Sequence, residues 1–186
     1  MILHTILLLL TLGSVTMAAD GDGKRIIFQF ETPDAAKPWQ VVNDGVMGGR
    51  SEGRFKINDD NMMEFFGTLS LENNGGFASV RARGEISALE LEDVIVARVK
   101  GDGREYQFNL YAQRNLGGFS YRQSFKTIKD EWTEVELPVD EFVATWRGRV
   151  FPNEQLNPAN VSGLGLLLGD KKAGPFKLEV DWIKVR

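Results

Sequence analysis

From Arg25 to its end the sequence alternates apolar and polar residues between short glycine- and asparagine-rich breaks. Tyr106, Phe108 and Leu110 alternate with Gln107 and Asn109. Phe119, Tyr121, Gln123 and Phe125 alternate with Ser120, Arg122 and Ser124, and Thr133, Val135 and Leu137 with Trp132, Glu134 and Glu136. Phe176, Leu178, Val180 and Trp182 alternate with Lys177, Glu179 and Asp181, which predicts Trp182 in the core. A period of two with one polar face is the pattern of half-buried antiparallel strands. The breaks fall at Asn73–Gly76, Gly101-Asp102-Gly103, Gly117-Gly118 and Gly169-Asp170. Helical period is confined to Glu85–Leu91 and Val139–Ala144, each a turn or two and too short to cover a sheet. The apolar strand faces must then bury one another, which predicts an all-β fold, a jelly-roll β-sandwich. The 186 residues hold no linker or repeat, so one domain from Ile26 to Val185 is expected.

The first nineteen residues read differently. Met1 to Ala19 carries no Lys, Arg, Asp or Glu, and Ile6–Leu12 is an apolar run followed by small residues. That is the shape of a signal peptide cleaved after Ala18 or Ala19, with export to a periplasm or the exterior. An uncleaved membrane anchor is the alternative, although roughly 13 apolar-leaning residues at about 1.5 Å each cover about 20 Å of a roughly 30 Å bilayer core. The only histidine, His4, lies in this segment, and there is no cysteine. A chain without the leader would lack the groups for Ser-His-Asp or Cys-His nucleophilic catalysis and for His- or Cys-ligated metals. No cofactor is expected. With 22 basic and 26 acidic residues the net charge is −4, which argues against a general nucleic-acid binder.

Candidate binding residues cluster in four places. Asn43–Ser51 packs three glycines into five positions, where backbone N–H groups can form an anion-binding nest with Asp44, Arg50 and Ser51 nearby. The competing reading is a tight loop that wraps a sandwich edge with Met47 in the core. In the second string Ser79 and Arg81 face away from Ala78 and Val80, so Arg81 meets either a ligand carboxylate or a strand glutamate. Gln107, Asn109 and Tyr111 would form a polar sheet face with Arg122 and Arg81 if their strands are neighbours, suited to sugar or peptide recognition. Arg147 and Arg149 follow Trp146 in an expected loop, and Trp39 stands in another, as hot spots or stacking platforms. Glu31 and Asp181 would form a weak calcium pair if the terminal strands meet. Glu134 and Glu136 lie on one strand and cannot face each other across a cleft, so no catalytic residue is assigned.

Several strings together resemble the complex I intermediate-associated protein 30 family. They are Asp44–Ser51, Gly75–Arg81, Gly101–Arg104 with Tyr106, Trp132 with Leu137-Pro138 and Phe142, Arg147–Arg149, Gly165–Lys171, and Gly174–Phe176 running into Leu178-Glu179. The resemblance covers nearly the whole chain after the leader, in order. It implies a galactose-binding-like jelly-roll sandwich, similar to carbohydrate-binding modules, and a non-catalytic role. Mitochondrial members of that family are assembly factors that hold partly built membrane arms of NADH:ubiquinone oxidoreductase. This chain departs from them in its uncharged, secretory-type leader. The leading expectation is an exported, non-enzymatic binding domain that holds a protein partner, with assembly of a membrane complex as its family role. A carbohydrate-binding protein recognising a glycan on the polar sheet face is the alternative, and a carboxylate-dependent hydrolase ranks last.

Overall fold

A computed structural model describes residues 25–83, 86, 89–112, 119–146 and 148–186. The leader at 1–19, with the signal-peptide and anchor readings it carries, and Arg147 lie outside the described residues. In chain order the strands are β1 (Arg25–Gln29), β2 (Trp39–Val41), β3 (Glu52–Ile57), β4 (Met63–Leu69), β5 (Ala78–Arg83), β6 (Val94–Lys100) and β7 (Glu105–Ala112). There follow β8 (Ser120–Lys126), β9 (Trp132–Pro138), β10 (Val143–Trp146), β11 (Arg149–Val150), β12 (Val161–Leu168) and β13 (Gly174–Val185). Val139–Glu141, where a helical turn was expected, is a short 3-10 turn. Among the described residues no helix is long and apolar enough to cross a membrane.

The strands form two antiparallel sheets. One runs β3-β4-β13-β6-β9 with β1 also on β13, and the other runs β11-β10-β8-β7-β12-β5-β2. Alternation gives each sheet an apolar face, and the two faces bury each other. Phe65 and Phe176 meet from neighbouring strands with ring centroids 4.9 Å apart, and Phe108 meets Phe142 edge-on at 6.1 Å. Ala78, Val80, Phe108, Leu110, Leu164 and Leu166 close the core from the second sheet.

Two expectations for tryptophan are corrected. One edge of β13 is shared: residues 174–180 pair with β4, and 182–185 pair with β1. At the changeover the register against β6 shifts between Val180 and Trp182, as in a bulge. The extra residue, Asp181, reverses the alternation. Ile183 and Val185 therefore enter the core, while Trp182 stays half-buried outside it with the Lys184 ammonium 4.4 Å from its ring centroid. Trp39, expected in a loop, is instead a strand residue only 5% exposed, 4.8 Å from the Phe28 ring.

A buried ion pair joins two of the glycine-rich strings. Arg104, at the entry to β7, grips Asp170 in the β12–β13 turn through Nε–Oδ2 at 3.0 Å and Nη2–Oδ1 at 2.7 Å. Its remaining N–H groups reach the carbonyls of Lys172 and Pro175. Asp102 accepts from the Tyr106 hydroxyl at 3.2 Å and from the Lys177 N–H at 3.0 Å. Burial, reinforced by Asp102, pushes the Tyr106 phenol far above its ordinary range. With the Arg104 guanidinium and the Asp170 and Asp102 carboxylates all partnered, the turn is fixed against the sheet.

Truncation separates core from outer face despite the common period. Phe108→Ala should lower the unfolding free energy by about 3–5 kcal/mol, and Trp182→Ala by only about 1 kcal/mol, in urea titrations followed by circular dichroism. Equal losses would place Trp182 in the core.

Candidate functional site

Asp44 lies in a 3-10 turn, Asp44–Met47, that ends on Gly48 at φ +88°. Its side chain points inward and is fully buried. Oδ1 accepts the Ser51 N–H at 2.9 Å, and Oδ2 accepts the Ser51 hydroxyl at 2.6 Å, the Gly76 N–H at 2.6 Å and the Phe77 N–H at 3.2 Å. The two glycine-rich strings thus do form a cradle of donors for an anion, and the anion is the chain's own carboxylate. Glycine is required where they close: a Cβ on Gly49 would stand 2.4 Å from Asp44 Cγ, and one on Gly75 would stand 2.6 Å from Oδ2. Burial alone would raise the Asp44 pKa, but the hydrogen bonds from Ser51, Gly76 and Phe77 outweigh it and hold the carboxyl below its ordinary value.

Asp44 and Ser51 are consequently structural and offer nothing to a ligand. Arg50 is exposed and pairs with Glu72 at 3.0 Å, a contact of small worth in water. Met47, expected in the core on one reading, is 63% exposed beside Val46 at 74%.

The other expected residues converge. β7 and β8 are neighbours, and β12 lies between β7 and β5. Across the outer face of the second sheet one row therefore reads Gln40, Arg81, Gly165, Asn109, Arg122 and Val143. The row beside it carries Arg83, Gly163, Tyr111, Ser120 and Thr145. Gly165 lets Arg81 and Tyr111 close over the middle of the sheet. A Cβ there would press on Arg81 Cγ and Tyr111 Cε2, both at 3.2 Å, and the Arg81 guanidinium lies 5.1 Å from the Tyr111 ring centroid. Arg122 Nη1 donates to Gln107 Oε1 at 3.1 Å, Arg122 Nη2 to the Ser120 hydroxyl at 3.3 Å, and Arg81 Nε to the Ser79 hydroxyl at 3.2 Å.

This face is electrostatically unfinished. Asn109 is 1% exposed with no hydrogen bond to Oδ1, and Arg122 Nε is buried without an acceptor. Burial pulls the Arg122 guanidinium below its ordinary value and pushes the Tyr111 phenol above its own, while the two arginines pull Tyr111 back down. Neither Arg81 nor Arg122 meets a carboxylate among the described residues. Glu105 sits on this face beyond the Gln107 row, opposite Lys126. The outer face of the first sheet is the opposite case. There Lys56, Glu64, Glu179 and Lys100 stand side by side, with Lys56–Glu64 at 3.2 Å and Lys100–Glu179 at 2.8 Å, and Lys177 bridges both glutamates at 3.4 Å. One outer face neutralises itself and the other does not.

Elsewhere the expected groups do not assemble. β1 and β13 pair as the calcium reading required, but Asp181 is bonded to Arg98 and Glu31 takes the Gln29 amide at 2.6 Å. Among the described residues no three acidic side chains could share a metal ion, so that pair is withdrawn. Arg149 is exposed on β11, opposite Trp146. Arg83, Gly163 and Gly165 were missed. Arg83 follows Arg81 at the strand period, and Gly163-Leu164-Gly165 in a strand marks a close approach, so both signals were present.

Two stacked antiparallel sheets, polar outside, define a galactose-binding-like β-sandwich. A family 11 carbohydrate-binding module from Clostridium thermocellum, in complex with a β-1,3-1,4-mixed-linked tetrasaccharide, has the same fold. It aligns at TM-score 0.64 and 17% identity over 87% of this chain and 94% of its own. The same family's module of the cellulosomal cellulase Lic26A-Cel5E aligns at 0.65 and 17% over 88% and 94%.

The chain belongs to the complex I intermediate-associated protein 30 family, whose model matches residues 28–180. The Mus musculus protein named "Complex I intermediate-associated protein 30, mitochondrial" is 31% identical over 87% of this chain and 56% of its own length. The Drosophila melanogaster protein of that name is 24% identical over 85% and 61%. The chain thus spans a little over half the length of these relatives. Their mitochondrial naming overturns the expectation of a signal peptide and a secreted or periplasmic protein. Residues 1–19 carry no Lys, Arg, Asp or Glu, and apolarity by itself does not decide a compartment.

The buried carboxylate gives a pH-dependent test. Because its pKa is depressed by folding, the stability that Asp44 contributes is present above the ordinary carboxylate range and is lost as pH falls through the lowered value. Asp44→Asn, which can accept on only one side-chain atom, should lose about 2–4 kcal/mol at neutral pH and destabilise less steeply than the parent below about pH 4. Thermal melts across the acid range measure both.

Proposed function

We propose that the chain is a non-catalytic binding domain of the mitochondrion that holds a protein partner while a membrane complex is assembled, NADH:ubiquinone oxidoreductase by family. Family membership and the relatives' names support the assembly role. The observation that carries the binding role is the outer face of the second sheet, where buried polar atoms of Asn109 and Arg122 stand without partners. A protein seldom leaves such groups unmet unless something else meets them. The acidic groups best placed for chemistry are already spent: Asp44 and Asp170 are locked in internal hydrogen bonds.

A glycan on the same face is the weaker reading. Sugar rings favour open aromatic faces, but Arg81 lies over Tyr111 and Trp39 is buried. Likeness to carbohydrate-binding modules at 17% identity supports the fold and no ligand.

Blue-native electrophoresis of mitochondria from cells expressing the tagged chain tests the proposal. The tag should migrate with a partly assembled membrane complex and leave the mature one. Migration as a free protein throughout assembly, or substrate turnover by the purified chain, would overturn it. Binding to a neutral oligosaccharide with no co-migrating protein would favour the glycan reading.

A further inference from the structure

We propose that the outer face of the second sheet seats an acidic side chain of the partner polypeptide, its carboxylate between Arg81 and Arg122 and its backbone N–H against Asn109. The inference rests on the reading of the chain as a protein-binding domain and adds the chemistry that is recognised. Two guanidinium groups share one patch of a chain whose net charge is −4, and neither meets a carboxylate among the described residues. Each hydrogen-bonds only to neutral oxygens, Arg81 to the Ser79 hydroxyl and Arg122 to Gln107 and Ser120, and Arg81 also lies over the Tyr111 ring. A carboxylate outcompetes such partners because its bonds to arginine are charge-assisted and match the planar fork.

The unmet atoms specify the rest. Arg122 Nε is a buried donor without an acceptor, and Asn109 Oδ1 a buried acceptor without a donor. Asn109 Nδ2 reaches the Gln107 carbonyl only at 3.5 Å, so the amide is weakly anchored. Asn109 is only 1% exposed, so seating a partner N–H against it requires the side chains over it to move as the carboxylate engages Arg122. An aspartate or glutamate within a peptide brings both complements at once, two carboxylate oxygens and a backbone N–H. Free phosphate brings no such fixed donor, and a sugar acid finds the Tyr111 ring already covered by Arg81. The absent side chains at Gly163 and Gly165, in the strand between β5 and β7, let Arg81 lean across the sheet to the Tyr111 ring, toward Arg122 on β8.

Fluorescence anisotropy with the purified protein tests this against labelled acetyl-Gly-Glu-Glu-Gly-amide and its Gln-Gln counterpart. The glutamate peptide should bind at least about tenfold tighter, and added salt should weaken it. Arg81→Gln and Arg122→Gln should each cost about tenfold or more, while Arg54→Gln on the first sheet should leave binding unchanged. Asn109→Asp supplies an internal carboxylate to Arg122 and should abolish binding with the melting temperature unchanged or raised, which separates recognition from folding. Equal affinity for the two peptides overturns the proposal. So does no glutamate-peptide binding at millimolar concentration, indifference to the arginine substitutions, or tighter binding of inorganic phosphate or glucuronate. Because the probes are defined peptides, these outcomes are independent of whether an assembly intermediate co-migrates with the chain.

Discussion

Each sheet of this sandwich has one apolar face, and the only shelter for two such faces is each other. Most polar groups are thereby sent to the two outer faces, to the turns, or into hydrogen-bonded pockets such as that of Asp44. The outer faces solve the resulting charge problem in opposite ways. On the first sheet two adjacent glutamates are flanked and bridged by lysines, and the charges cancel, as cross-strand pairs do. On the second sheet Arg81 leans over Gly165 and Tyr111, no carboxylate among the described residues meets Arg81 or Arg122, and buried atoms of Asn109 and Arg122 are unmet. That contrast within one molecule supports the proposal that the second face binds a partner.

The glycine-rich strings have a different part. Asp44 acts as an internal anion, and the donors around it come from segments far apart in sequence, Ser51 on one side and Gly76-Phe77 on the other. Arg104 and Asp170 join a second pair of distant strings. In both cases a charged side chain ties together turns from separate parts of the chain. The glycine-rich strings therefore close the sandwich ends, and the proposed binding surface lies in the less conspicuous alternation of β5, β7 and β8. The exposed Val46 and Met47 follow from the same tie, since Asp44 takes the inward position.

Much of the fold was legible because strand alternation is a local property. Tyr106, Phe108 and Leu110 had to share a face, as did Ala78 and Val80, and the structure buries all five. The grouping of Gln107, Asn109 and Tyr111 followed from the same period. Its failure at Trp182 has a local cause too, since one bulged residue reverses every side chain beyond it. That bulge sits where β13 changes partner from β4 to β1, and nothing in the residues around Asp181 announces a change of partner. Trp39 was misplaced for a related reason: a three-residue strand is too short to show a period.

The amino-acid order alone determined an all-β sandwich, its core alternation and its membership of a recognisable family, because each depends on residues within a few positions of one another. Only the tertiary structure decided that β12 lies between β5 and β7, which brings Arg81, Tyr111, Asn109 and Arg122 onto one patch. It also decided that Asp44 faces inward. Strand order and buried hydrogen bonds can join residues far apart in sequence, as Asp44 and Gly76, 32 positions apart, are. No local pattern specifies which of several similar strands will pair, because the free energy that selects the pairing belongs to the whole packed core.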